Sequence, residues 1–166
     1  MPTQDNLNTG AGCRFSIGTK TGADTQAAYA ADTYIEVGEI SDIGEFGDTF
    51  NSVTFQALAD GRVRKYKGTA DAGDITLAVG LDNGDAGQQA IKTAHQDRSK
   101  GDYNIKITLN DGDPSATPVI NPTTFYFRGK VMKNTVATGG AGAVVTRNIT
   151  IGINSDVFEL LPAAAA

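Results

Sequence analysis

The residues that could do chemistry in this 166-residue chain are few. One cysteine, Cys13, and one histidine, His95, form the only Cys/His pair that could supply a nucleophile and its base, and no spacing places them together. There is no G-x-S-x-G. The runs "LDNGD" and "NDGDP" cluster carboxylates, but neither has the spaced ligands and closing glutamate of a calcium loop. Asp-Gly and Asn-Gly are what tight turns require, so both are read as turns. The stretch "TGGAGAVV", residues 138 to 145, has the glycines of a phosphate loop. It lacks the lysine and leads into a strand rather than a helix, so it is read as a glycine hairpin. "RVRKYK" interleaves one tyrosine with cations and could touch nucleic acid, but it is short and the rest of the chain is acidic. No catalytic residue, metal ligand or cofactor site is assigned, and the chain is expected not to be an enzyme.

The elements around these residues are mostly strands. Apolar and polar residues alternate at Cys13–Phe15–Ile17, Ile35–Val37, Val53–Phe55–Ala57 and Ile75–Leu77–Val79–Leu81. The same pattern recurs at Tyr103–Ile105–Ile107–Leu109, Phe125–Phe127–Val131 and Ile149–Ile151–Ile153. Period-two patterning of this kind predicts half-buried strands with one solvated or partnered face; Tyr126, Arg128 and Lys130 fall on such a face. Seven such runs describe an antiparallel β-sandwich or barrel. One helix interrupts them: Asp85 with Gln88 resembles a capping box, Ala90, Ile91 and Ala94 make the apolar stripe, and Arg98 and Lys100 follow where the dipole favours cations. Gly101 is the expected stop. His95 sits on this helix as a surface or half-buried polar residue. The proline-rich segment 110–124 reads as a long loop.

Length and composition predict one domain over 1–166, with flexible ends at 1–12 and 162–166. A single cysteine makes no internal disulfide, the N-terminus has no basic-then-apolar leader, and no apolar run approaches a membrane span, so the chain is expected to be made in the cytoplasm without inserting into a membrane. Net charge is −5, which opposes simple wrapping of nucleic acid but suits a surface that repels it. The charge is segregated. Residues 21 to 61 contain Asp24, Asp32, Glu36, Glu39, Asp42, Glu45, Asp48 and Asp60 and no base; Arg62, Arg64, Lys65 and Lys67 follow at once. Two solvated surfaces would explain this. So would a basic arm on one copy meeting an acidic face on the next, a head-to-tail contact that builds rings and filaments.

The order "YIEVGEISDIGEFGDTFNSVTFQAL", "GRVRKYKGTADAGDITLAVGLDNGDAGQQAI" and "FYFRGKVMKN…VVTRNITIGIN" resembles the major tail tube proteins of long, non-contractile-tailed bacteriophages, the lambda type, over about residues 30 to 160. No single motif is diagnostic; the resemblance lies in the arrangement. It implies a structural virion protein whose subunits form hexameric rings stacked into a hollow tube, through which DNA passes into the host without specific binding. It also implies a β-sandwich with one helix packed beside it and a long hairpin or loop, near residues 42 to 73, reaching the adjacent ring. Arg62, Arg64, Lys65 and Lys67 become the candidate inter-ring arm, and Glu36, Glu39, Asp42, Glu45 and Asp48 its acidic partner or the lumen face. The implied partners are other copies of the chain and the tape measure, tail terminator and tail tip proteins, in a virion tail assembled in the bacterial cytoplasm. The C-terminal immunoglobulin-like domain of the lambda-type chain has no counterpart in these residues. Two other readings compete: a type VI secretion-like tube ring protein, and a monomeric β-sandwich binding module.

Overall fold

The computed structural model describes residues 7–59 and 61–164. In chain order the elements are β1 (Arg14–Ile17), α1 (Gln26–Ala30), β2 (Ile35–Glu36), β3 (Ile40–Ile43), β4 (Thr49–Gln56), β5 (Val63–Asp71) and β6 (Asp74–Gly80). Then come α2 (Ala86–Gln96), β7 (Tyr103–Thr108), β8 (Ile120–Asn121), β9 (Thr124–Ala137), β10 (Thr146–Ile153), β11 (Phe158–Leu160) and β12 (Ala163–Ala164). Eight strands form one antiparallel sheet in the order β2-β1-β7-β9-β10-β6-β3, with β11 alongside β9. The sheet curls enough to bring β3 close to β1. The mainly β, antiparallel architecture expected from the alternating pattern is the one observed.

The core lies on one face of this sheet. Phe15, Ile17, Ile75, Leu77, Val79, Ile105, Ile107, Phe127, Ile149 and Ile151 are fully buried there, and α2 covers them with Ile91 and Ala94. α2 starts as its sequence dictates: the Asp85 carboxylate accepts from the Gln88 N–H at 2.7 Å, satisfying one of the free amides of the first turn. It ends earlier than expected, at Gln96, with Asp97 already extended; Gly101 is not its stop.

The opposite face carries a second, smaller cluster that the alternation concealed. Tyr126 is buried rather than solvated, stacked on Tyr29 at 5.6 Å between centroids, with Tyr34 and Phe158 beside it. Tyr29 comes from α1, so the described residues hold two helices where one was expected. At five residues with no wide apolar stripe, α1 is too short to announce itself by periodicity. The 110–124 segment also has order of its own. β8 pairs with β12, so residues 163–164, expected to fray, lie against Ile120 and Asn121.

The largest departure is at 49–71. Val53 and Phe55 alternate as a half-buried strand should, yet β4 and β5 pair only with each other and are exposed on both faces. They form an arm attached to the sheet by its root.

Candidate assembly interface

The arm is built by local rules. β-branched and aromatic residues in β4 favour extended backbone. The register runs Ser52↔Lys67, Val53↔Tyr66, Thr54↔Lys65, Phe55↔Arg64 and Gln56↔Val63, with an irregularity between Phe50 and Ser52. At the far end, Gly61 has φ +60 and its N–H donates to the Ala57 carbonyl at 3.3 Å, a reversal that glycine allows cheaply. At the root, the Thr49 hydroxyl donates to the Asp71 carbonyl at 2.8 Å.

Directly opposed residues share a face. Val53, Phe55, Tyr66 and Arg64 therefore make one side of the arm, and Ser52, Thr54, Gln56, Val63, Lys65 and Lys67 the other. Phe50 belongs with the lysines, because the Lys67 ammonium lies 4.4 Å from its ring centroid. Val53, Phe55 and Tyr66 each expose half or more of their surface, and Leu58 at the turn is fully exposed. No residue of β4 or β5 joins either buried cluster. These exposed apolar and cationic side chains take no part in the buried clusters, and exposed apolar surface of this kind makes the arm the candidate interaction site.

The basic residues expected to form an arm thus sit on one: Arg62 at its turn end, Arg64 on the aromatic side, Lys65 and Lys67 on the other. The acidic residues are scattered more widely. Glu36 lies on β2, its carboxylate 3.8 Å from the Arg14 guanidinium of the same chain. Glu39 occupies the turn before β3 with φ +57, its carbonyl accepting from the Gly80 N–H at 2.8 Å. Asp42 is exposed on β3, opposite Ala78. Asp60 lies outside the described residues. Asp24 is 3.8 Å from Arg128, and Asp32 is held in a network described below. Among the described acids of the run, Glu45 and Asp48 are the ones at the arm's root.

There they meet residues that the run of acids between 21 and 61 did not include. Two clefts of about 290 and 350 Å³ flank the root and share Asp48; Asp71 and Asp156 line one, and Glu45 and Asp74 the other. Glu45, Asp48, Asp74 and Asp156 are exposed. The grouping joins three separate stretches of chain, so only the fold reveals it.

Elsewhere the polar clusters are structural. Lys20 pairs with Asp97 and lies over Tyr103, whose hydroxyl donates to Asp97 at 2.9 Å; these contacts hold the Asp97 carboxyl well below the usual range. In "LDNGD" the Gly84 N–H donates to Asp82, and after "NDGD" the Ser115 N–H donates to Asp113, as turns need, while Asp111 accepts from Thr123 across the loop. Residues 138–145 join β9 to β10 as a hairpin turn, with Gly139 at φ +63. His95 is exposed on α2, while Cys13 is half-buried in a cleft against β3.

No protein-family model matches the chain, and no curated protein sequence matches it significantly. Solved structures do. A chain of an extracellular contractile injection system, in the PVC sheath/tube terminator in its extended state, superposes with TM-score 0.66 at 15% identity, over 93% of this chain and 96% of that one. A chain of the six-fold symmetrised anti-feeding prophage baseplate gives 0.65 at 13%, over 93% and 98%. A chain of the SPP1 tail tube gives 0.57 at 12%, over 92% and 77%. At these identities the likeness is one of fold, and the fold this chain carries is that of tail-tube and tube-terminator proteins.

Proposed function

We propose that this chain is a structural subunit of a phage-type tail tube. Copies form rings, six to a ring, that stack head-to-tail into a hollow tube. The tube forms part of a virion tail and conducts DNA, and the chain performs no catalysis. The observation that carries the reading is the arm: a two-stranded extension whose strands pair only with each other and whose apolar side chains are exposed among the described residues, on a fold shared over most of its length with the tail-tube and tube-terminator structures. The six-fold symmetrised baseplate among the similar structures supports the ring number. A net charge of −5 suits a conduit, since like charge discourages DNA from sticking. The tape measure, tail terminator and tail tip proteins are its expected partners in assembly.

A second reading, a tube ring protein of a contractile injection or type VI-like machine, is favoured by the contractile injection system sheath/tube terminator among the structures similar to it. It differs in cargo rather than in assembly. Negative-stain microscopy of the purified protein across concentration and salt tests what the two share. Rings or tubes are expected, and a monomer under every condition overturns both. Neighbouring genes then separate them: tape measure and tail terminator genes indicate a phage tail, a secretion cluster the alternative.

A further inference from the structure

We propose that the lysine face of the arm docks onto the acidic collar at the root of the arm on a second copy, so that each copy carries both halves of the stacking contact. The inference rests on the tube-subunit reading and names the landing place, which adds Asp74 and Asp156 to Glu45 and Asp48 of the run of acids between residues 21 and 61.

The occupant of the arm's exposed face follows from its charge. Lys65 and Lys67 project from one side of β5 opposite Thr54 and Ser52, so no carboxylate of the arm itself faces them across the ladder. Phe50, beneath the Lys67 ammonium, and Val63 add exposed apolar surface to the same side. The complementary charge lies at the root, where Glu45, Asp48, Asp74 and Asp156 are exposed around the two clefts and make no ion pair among the described residues.

The two halves form no ion pair within one molecule among the described residues. Lys65 is six residues from Asp71 along the same strand, roughly 20 Å at the rise of an extended chain. Lys67 is four residues away, about 13 Å. These are backbone separations; among the described residues no ion pair joins either lysine to the collar within the chain, and a paired ladder cannot fold its middle back onto its root. The attraction is therefore satisfied between copies. Because the donor and acceptor surfaces differ, the contact is heterologous, and each docked copy presents a fresh collar or a fresh arm to the next.

The test uses charge reversal in both surfaces of the full chain. The arm variant is Lys65→Glu with Lys67→Glu; the collar variant is Asp48→Lys, Asp74→Lys and Asp156→Lys. All five side chains are exposed, so circular dichroism and melting temperature should match wild type. Assembly is read by sedimentation at low and high salt, with tube length from microscopy. Each variant alone should need at least about tenfold more protein to form stacks. All five changes in one chain, or an equimolar mixture of the two variants, should bring that concentration back to within about threefold of wild type. If wild type stacks and the folded collar variant stacks equally well, the landing place is wrong while the tube reading stands. If arm reversal alone disrupts stacking and the combination gives no recovery, the arm docks elsewhere, and the proposal fails. A wild-type protein that is monomeric throughout overturns the tube reading and this inference together.

Discussion

Asp32 accepts four hydrogen bonds, from the Thr19 N–H at 2.9 Å and hydroxyl at 2.7 Å, the Thr33 N–H at 2.8 Å and the Asn104 amide at 2.7 Å. It thereby ties the segment carrying α1 to β7. Burial pushes its pKa up, but the bonds from Thr19, Asn104 and Thr33 prevail and leave it below the ordinary value. A depressed folded pKa stabilises the fold above the unfolded pKa of about 3.9, and that contribution is lost as pH falls through the folded value. Asp32→Asn should therefore cost about 1–3 kcal/mol at pH 7, because the amide cannot accept all four bonds. In urea unfolding series the gap between variant and wild type should narrow as pH drops below about 4. A gap that stays constant to pH 2 would show that the charge is not what these donors hold. His95 offers the contrasting case. It is exposed on α2, and His95→Ala should leave both melting temperature and tube assembly at wild-type values; a folded variant that fails to assemble would place α2's outer face in a contact between copies.

At the scale of elements, α2 is fixed by closeness as much as by its apolar stripe. A Cβ on Gly87 would lie 2.1 Å from the Glu36 carbonyl oxygen and 2.5 Å from the Val37 Cα, both backbone atoms that cannot step aside. Gln88, wholly buried, donates to the Gly80 carbonyl at 2.8 Å and accepts from the Asp82 N–H at 3.3 Å, locking the start of the helix to the end of β6. Gly87→Ala should push α2 off β2 and cost about 1–3 kcal/mol, or roughly 2–4 °C in melting temperature per kcal/mol for a chain of this size. An unchanged melting curve would mean the helix can shift freely. The sequence made α2's cap, stripe and approximate span legible because capping is local and its period is long enough to count. It made β6, β7, β9 and β10 legible because a strand buried on one face must alternate. The same rule misled at Val53 and Phe55, since alternation records that one face is covered and not by whom. α1 and the aromatic cluster on Tyr126 were hidden because five residues carry no measurable period. The collar was hidden because Asp48, Asp74 and Asp156 become neighbours only through the sheet.

For the whole molecule, the arm divides folding from assembly. None of its residues enters a buried cluster, and Phe50 and Ala70 already face one another across the ladder, so residues 51–69 can be replaced by an Asn-Gly turn without touching the core. The shortened chain should melt within a few degrees of wild type. It should not form stacks of its own, since it has a collar but no arm. Mixed with wild type it has a directional effect. A wild-type arm can still dock on its collar, but it offers no arm in return, so each incorporated copy interrupts growth on one side. Mean tube length should then fall steeply as the shortened fraction rises from zero to about one half, whereas an inert bystander would merely dilute. Length distributions from micrographs of mixtures at fixed wild-type concentration measure this. Tubes of full length at every ratio, or tubes formed by the shortened chain alone, would remove the arm from stacking and leave its exposed aromatic and basic surface to a contact of another kind.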